Sequence, residues 1–141
     1  MVLGAYAGLR VSEVAALNWS DIDQEHKRIY VRGKGMKERV CGLSVVVLDE
    51  LLPEAVGNVV TAGQRPYTGP VLQRKVNRFM ARHGVEKTFH DLRKRYVTQA
   101  IAKTGNIHAV AQAVGWASIE TANAYAALSD DALDQIAAAA V

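Results

Sequence analysis

One cysteine in 141 residues, Cys41, rules out an internal disulfide and points to a reducing interior, not a secreted, stapled scaffold. The three prolines are too scattered to mark a boundary, and no internal repeat or low-complexity linker is present, so one domain over residues 1–141 is expected. No apolar run approaches the ~20 residues of a membrane span. The opening MVLGAYAGLR has no charged segment before its apolar stretch, so no signal peptide is expected either. A cytoplasmic protein with no membrane partner follows from these absences. Metal and nucleotide machinery is missing too. His26, His83, His90 and His108 are scattered, HExxH does not occur, and one cysteine cannot build a zinc site. Gly33-Lys34-Gly35 begins like a dinucleotide fingerprint, but position 38 is Glu and a returning strand follows. No P-loop or serine elbow is present. No cofactor and no metal are expected.

What is there is an ordinary globular balance, 50% hydrophobic and 22% charged. The net charge of +3 says little, but its distribution says more. Residues 26–39 hold six basic side chains against one acid, and residues 65–95 hold nine against two. From Glu120 onward there are four acids and no Lys or Arg. A basic stripe with an acidic tail suits a nucleic-acid binder, although a solvated charged face would account for the same pattern.

Hydrophobic periodicity predicts a mainly α chain with a small antiparallel β-sheet. Residues 12–18 read as a helix that Ser12 can cap, followed by a loop at 19–23. Residues 28–32 alternate like a strand, Gly33-Lys34-Gly35 turns the chain, and residues 38–43 return it, giving a hairpin around Lys34. Residues 44–60 read as helical with a break at Pro53. Val76, Phe79, Met80 and His83 recur at helical spacing before Gly84, and residues 90–103 and 107–114 form two more amphipathic helices. Ser118 caps a further helix to about residue 128, and residues 137–141 close an Ala-rich tail.

Within this framework His90-Asp91-Leu92-Arg93 puts His90 and Arg93 on one helix face. An imidazole beside a guanidinium suits phosphoryl chemistry, yet the pattern alone occurs often by chance. It gains weight from Gly8-Leu9-Arg10-Val11-Ser12-Glu13-Val14, which places an arginine just before a helix with a carboxylate three residues on. Val114-Gly115-Trp116-Ala117-Ser118-Ile119-Glu120-Thr121 then leads to Tyr125, and the turn Gly33-Lys34-Gly35-Met36-Lys37-Glu38-Arg39 reads GKGxKER. With these motifs in this order, the chain from about residue 3 to 128 resembles the catalytic domain of the tyrosine recombinases, the phage integrase family.

The resemblance implies a tyrosine-recombinase catalytic-domain fold that is N-terminally short, since Arg10 stands ten residues from the start and a DNA-clamping domain usually precedes it. It implies roles for Arg10 as the first catalytic arginine, Lys34 as the hairpin lysine, His90 and Arg93 as the HxxR pair, and Tyr125 as the nucleophile. Trp116 falls where most members carry a second histidine, which implies an indole donor and packing there, not proton transfer. Glu13 resembles a supporting residue that pairs with a basic partner. Lys37 shares the turn with Lys34, and either could reach a phosphate. Lys37, Arg39, Arg74, Lys75 and Arg78 are the expected DNA-binding residues.

The implied chemistry is cleavage and rejoining of double-stranded DNA. Tyr125 attacks phosphorus to give a 3′-phosphotyrosine and a free 5′-hydroxyl. Arg10 and Arg93 clamp the non-bridging oxygens, Lys34 protonates the leaving oxygen, and His90 assists at the tyrosine hydroxyl. Integration or resolution by a bacterial or phage-encoded protein would follow, with protomers free as monomers and joined on DNA in a tetrameric synapse. The tail at 129–141 would then dock in trans. Two other readings fit parts of the chain. Residues 107–128 scan as a non-catalytic helix-turn-helix DNA-binding module, and a type IB topoisomerase uses similar residues.

Overall fold

The computed structural model describes residues 1–33, 38–50 and 56–116. Two short helices open the chain, α1 (Val2–Ala7) and α2 (Val11–Ala16). The join between them is made by Gly8, which takes the left-handed conformation (φ 67°) and ends α1. A side chain could not stand at Gly8, since a Cβ would lie 2.5 Å from the Tyr96 ring. The α1 helix was not anticipated from sequence, because its apolar stretch is too short to show a period. The expected cap at Ser12 is displaced. Arg10, with extended backbone, precedes the first helical residue, and its N–H donates to Glu13 Oε2 at 2.6 Å. A carboxylate at the third helical position thereby satisfies the entering backbone.

A 3-10 turn (Trp19–Asp21) leads into β1 (Ile22–Asp23), β2 (Arg28–Arg32) and β3 (Glu38–Gly42), a three-stranded antiparallel sheet in that order. The expected loop at 19–23 thus contributes an edge strand. In β2 the alternation holds, with Ile29 and Val31 buried and Arg28, Tyr30 and Arg32 exposed. Cys41 lies opposite Ile29 and Arg39 opposite Val31, so Arg39 faces inward with the core residues.

Of the helix predicted over 44–60, the described residues show α3 (Val45–Leu48) and no helix over 56–60. Beyond it, Gly57 adopts φ 83° and the chain pairs with the segment after α2. Trp19 N–H donates to Gly57 O, and Val59 N–H donates to Leu17 O. Pairing with a neighbouring segment has overridden an apolar run that would also suit a helix. The small hairpin β4 (Thr61–Ala62) and β5 (Arg65–Pro66) follows, unanticipated from sequence. Then come α4 (Gly69–Arg82), α5 (Phe89–Thr104) and α6 (Ile107–Val114), where helices were expected. Thr88 and Asp91 cap α5 reciprocally, which accounts for Asp91 within the HDLR run.

Buried residues of α1, α2, the sheet, α3 and α4 form one core with Phe89. Val97, Val110 and Val114 form a second cluster, with Trp116 packed against it. The architecture is mainly helical with small antiparallel sheets. Among the described residues no helix is long and apolar enough to cross a membrane. The GKG turn at 34–37, Pro53, the helix expected after Ser118 and the tail at 129–141 lie outside the described residues.

Candidate active site

The end of α6 meets the Gly8–Arg10 turn and the inner face of β3, and four charged side chains converge there. Glu13 is the hub. Its two oxygens accept Arg39 Nη1 at 2.7 Å and Nη2 at 2.8 Å. Oε1 also accepts Arg10 Nη1 at 3.0 Å, and Arg93 Nη1 lies 3.7 Å from Oε2. Glu13 is 9% exposed and Arg93 5%, whereas the Arg10 side chain is 44% exposed.

The same three arginines cap the C-terminal carbonyls of α6. Arg39 Nε donates to Ala113 O at 2.9 Å, Arg93 Nη2 to Val114 O at 2.6 Å, and Arg10 Nη2 to Gly115 O at 3.2 Å. The last carbonyls of a helix lack intrahelical partners and carry its partial negative charge, so guanidinium groups are favoured there. Arg93 Nη1 also donates to Gly8 O at 2.6 Å, tying the first turn to the same point. Gly115 is left-handed (φ 66°), and a Cβ on it would come within 3.0 Å of Arg39 Cδ. Only glycine admits both that backbone and that close approach.

The electrostatics follow from this crowding. Burial pushes the Glu13 carboxyl upward, but hydrogen bonds from Arg39 and Arg10 outweigh it and hold the pKa at about 2. Burial lowers the Arg93 pKa to about 10, with Arg10 and Arg39 adding to the shift and Glu13 opposing it. For Arg39 burial also works against the charge, yet Glu13 more than compensates and raises its pKa. The cluster carries more positive charge than the single carboxylate neutralises, with Arg10 at its open side. Such a site is built to receive an anion. Cys41, buried beside it, donates to Ala113 O, and burial pushes its thiol pKa up.

Sequence motifs nearly a hundred residues apart are thus brought together: Arg10 and Glu13 with Arg93 and the Gly115-Trp116 segment. His90 is exposed on the first turn of α5. Trp116 is partly buried against the second core cluster. Arg74, Lys75 and Arg78 lie exposed on α4. Lys75 and Arg78 flank a different hollow of about 500 Å³, lined also by Tyr67, Val76 and Phe79. Lys34, Lys37 and Tyr125 lie outside the described residues. Arg39, expected at the DNA surface, is turned inward and its side chain is 11% exposed. Its inward direction, though not its partners, was readable from strand parity, since it shares a face with Cys41 and stands opposite the apolar Val31.

A model of the phage integrase family matches residues 1–132. The chain belongs to the phage integrase family. Among curated relatives it is 28% identical to tyrosine recombinase XerC of Xylella fastidiosa, over 92% of this chain and 48% of that protein. It is 31% identical to the TnP I resolvase of Bacillus thuringiensis, over 86% of this chain and 46% of that protein. The chain therefore spans about half the length of the curated relatives it matches. Its fold matches that of XerA recombinase, with TM-score 0.78 and 24% identity over 95% of this chain and 54% of that one. It also matches XerH site-specific recombinase bound to its difH substrate, with TM-score 0.71 and 24% identity over 96% and 44%. Neither the helix-turn-helix module nor the topoisomerase reading is favoured by these likenesses.

Proposed function

We propose that this phage integrase family chain is a single catalytic domain that breaks and rejoins double-stranded DNA in site-specific recombination. The observation that carries the reading is the convergence of Arg10 and Arg93 on one point beside the Glu13 carboxylate. XerH, a fold neighbour, is bound to a DNA substrate, which supports DNA as the partner of this chain as well. Arg10, with its side chain 44% exposed, is the arginine able to grip a phosphate at once. Arg93 forms the floor of the site and adds its charge from beneath.

In the proposed reaction the Tyr125 oxygen forms a bond to phosphorus as the bond to the 5′-oxygen breaks. The phenolic proton leaves with assistance from His90, and Lys34 delivers a proton to the departing 5′-oxygen. Reversal with a different 5′-hydroxyl completes strand exchange without net hydrolysis. Trp116 contributes packing and an indole donor. In the cell the protein is cytoplasmic, in a bacterium or encoded by a phage. Protomers free in solution as monomers assemble on DNA into a tetrameric synapse, with residues 129–141 docking on a neighbour.

The test is covalent capture by the full-length protein on a nicked suicide substrate carrying its site. The wild type is expected to give a protein–DNA adduct that Tyr125→Phe abolishes. An adduct that persists in Tyr125→Phe would sink the assignment.

A further inference from the structure

Resting on that reading, we propose that Arg39 is a positioning residue of the cleavage centre and not a phosphate contact: from the inward face of β3 it fixes the Glu13 carboxylate and the carbonyl end of α6 together, and so sets where Arg10 and Arg93 stand. The donor inventory is the first argument. Nη1 and Nη2 donate to the two oxygens of Glu13, and Nε donates to Ala113 O, so all three nitrogens are engaged within the protein. With the side chain 11% exposed, a DNA phosphate has little access to the two N–H groups left over.

The second argument is what Arg39 joins. Glu13 lies on α2, and its Oε1 and Oε2 also take the side chain and backbone of Arg10. Ala113 precedes Val114 and Gly115, whose carbonyls take Arg93 and Arg10. Arg39 is thus the member of the trio that spans β3, α2 and α6, with its aliphatic stem passing over Gly115. The chain that leaves α6 at this point continues in sequence to Tyr125, nine residues beyond Trp116. Only a planar guanidinium spans a carboxylate with one edge while its Nε reaches a carbonyl. A lysine at 39 keeps the charge and loses that geometry. Buried ion pairs contribute little net stability compared with an apolar replacement, whereas misplacing a reacting group by about 1 Å costs on the order of 10²-fold in rate.

The experiment uses full-length protein, with Arg39→Lys compared against wild type and Arg78→Ala on the nicked substrate. Arg39→Lys is expected to form adduct on the order of 10²-fold more slowly at saturating DNA, with DNA affinity and its salt slope unchanged. Its acid limit of cleavage should also move to higher pH. Glu13, faced by Arg10, Arg39, Arg93 and Cys41, loses half its fork and protonates earlier on the way down. Arg78→Ala, by contrast, should weaken binding and shallow the salt slope. Arg39→Lys that binds more weakly with a shallower slope, or that cleaves at the wild-type rate, overturns the proposal. A readout independent of folding variants is the Arg39 Nε–H resonance of the wild type. It should stay exchange-protected and unshifted when DNA is added, and a shift on binding overturns the proposal. If wild type gives no adduct at all, the recombinase reading fails, while this resonance still decides whether Arg39 serves the interior or the DNA.

Discussion

Glu13 and Arg39 meet fork to fork, both carboxylate oxygens facing both terminal guanidinium nitrogens at 2.7 and 2.8 Å, across 26 positions of sequence. This pair binds the start of the chain to the sheet. It also explains how a carboxylate can sit 9% exposed among three arginines. Unpaired, a charge so buried would be costly.

Acid titration should register that pair. The Glu13 pKa is lowered to about 2 from an ordinary 4.5, so its contribution is fully present above about pH 4.5 and is lost as pH falls through 2. The linkage amounts to about 3 kcal/mol. Urea unfolding of wild type and Glu13→Gln should differ most near neutrality, with the gap narrowing by that amount between pH 5 and 2. A gap independent of pH would show that Glu13 is not held ionised by its partners.

Two arginines of the cluster should separate by stability. Arg93→Ala removes donors from the carbonyls of Gly8 and Val114 and is expected to cost about 2 kcal/mol. The loss is moderated because burial and neighbouring arginines already oppose its charge. Arg10→Ala removes a side chain that is 44% exposed and should cost less, about 1 kcal/mol. Chemical denaturation at pH 7 checks the order, and equal losses would contradict the burial difference.

Gly8 and Gly105, both left-handed, offer a steric contrast. Gly105→Ala meets nothing within 4 Å and should cost about 1 kcal/mol from backbone strain alone. Gly8→Ala drives a methyl into the Tyr96 ring at 2.5 Å and should cost about 3 kcal/mol, the strain plus overpacking. Thermal melting of both variants distinguishes them.

DNA binding should be electrostatic at the α4 face. Arg74, Lys75 and Arg78 are exposed there, and charge reversal to Glu at all three should weaken binding nearly equally on all sequences while shallowing the salt slope by about three. Fluorescence anisotropy across a salt series measures it. Affinity indifferent to salt would remove the basic face from the interface.

Helix positions in the second half were readable because their apolar residues repeat at 3.6-residue spacing and their ends carry capping residues, Thr88 with Asp91 and Gly115 among them. The hairpin was readable from strand alternation in β2. The 44–60 segment was not, because a Val-rich run suits helix and strand alike, and the choice fell to pairing between Val59 and Leu17. The motif residues Arg10, His90, Arg93, Trp116 and Tyr125 were nameable from the chain through the family's pattern.

What the sequence by itself determined is therefore the local structure of α4, α5, α6 and the hairpin, together with the family, since periodicity, caps and motif spacing are properties of neighbouring residues. Only the tertiary structure decided the partners of each charge. Burial and hydrogen-bond geometry depend on which segments pack together, and no local pattern states that Arg39 crosses to Glu13 and Ala113. The same packing makes Arg93 a buried floor and leaves Arg10 open to solvent, a difference set by the contact of α5 and α6 with the Gly8 turn and invisible in two arginines read from a sequence.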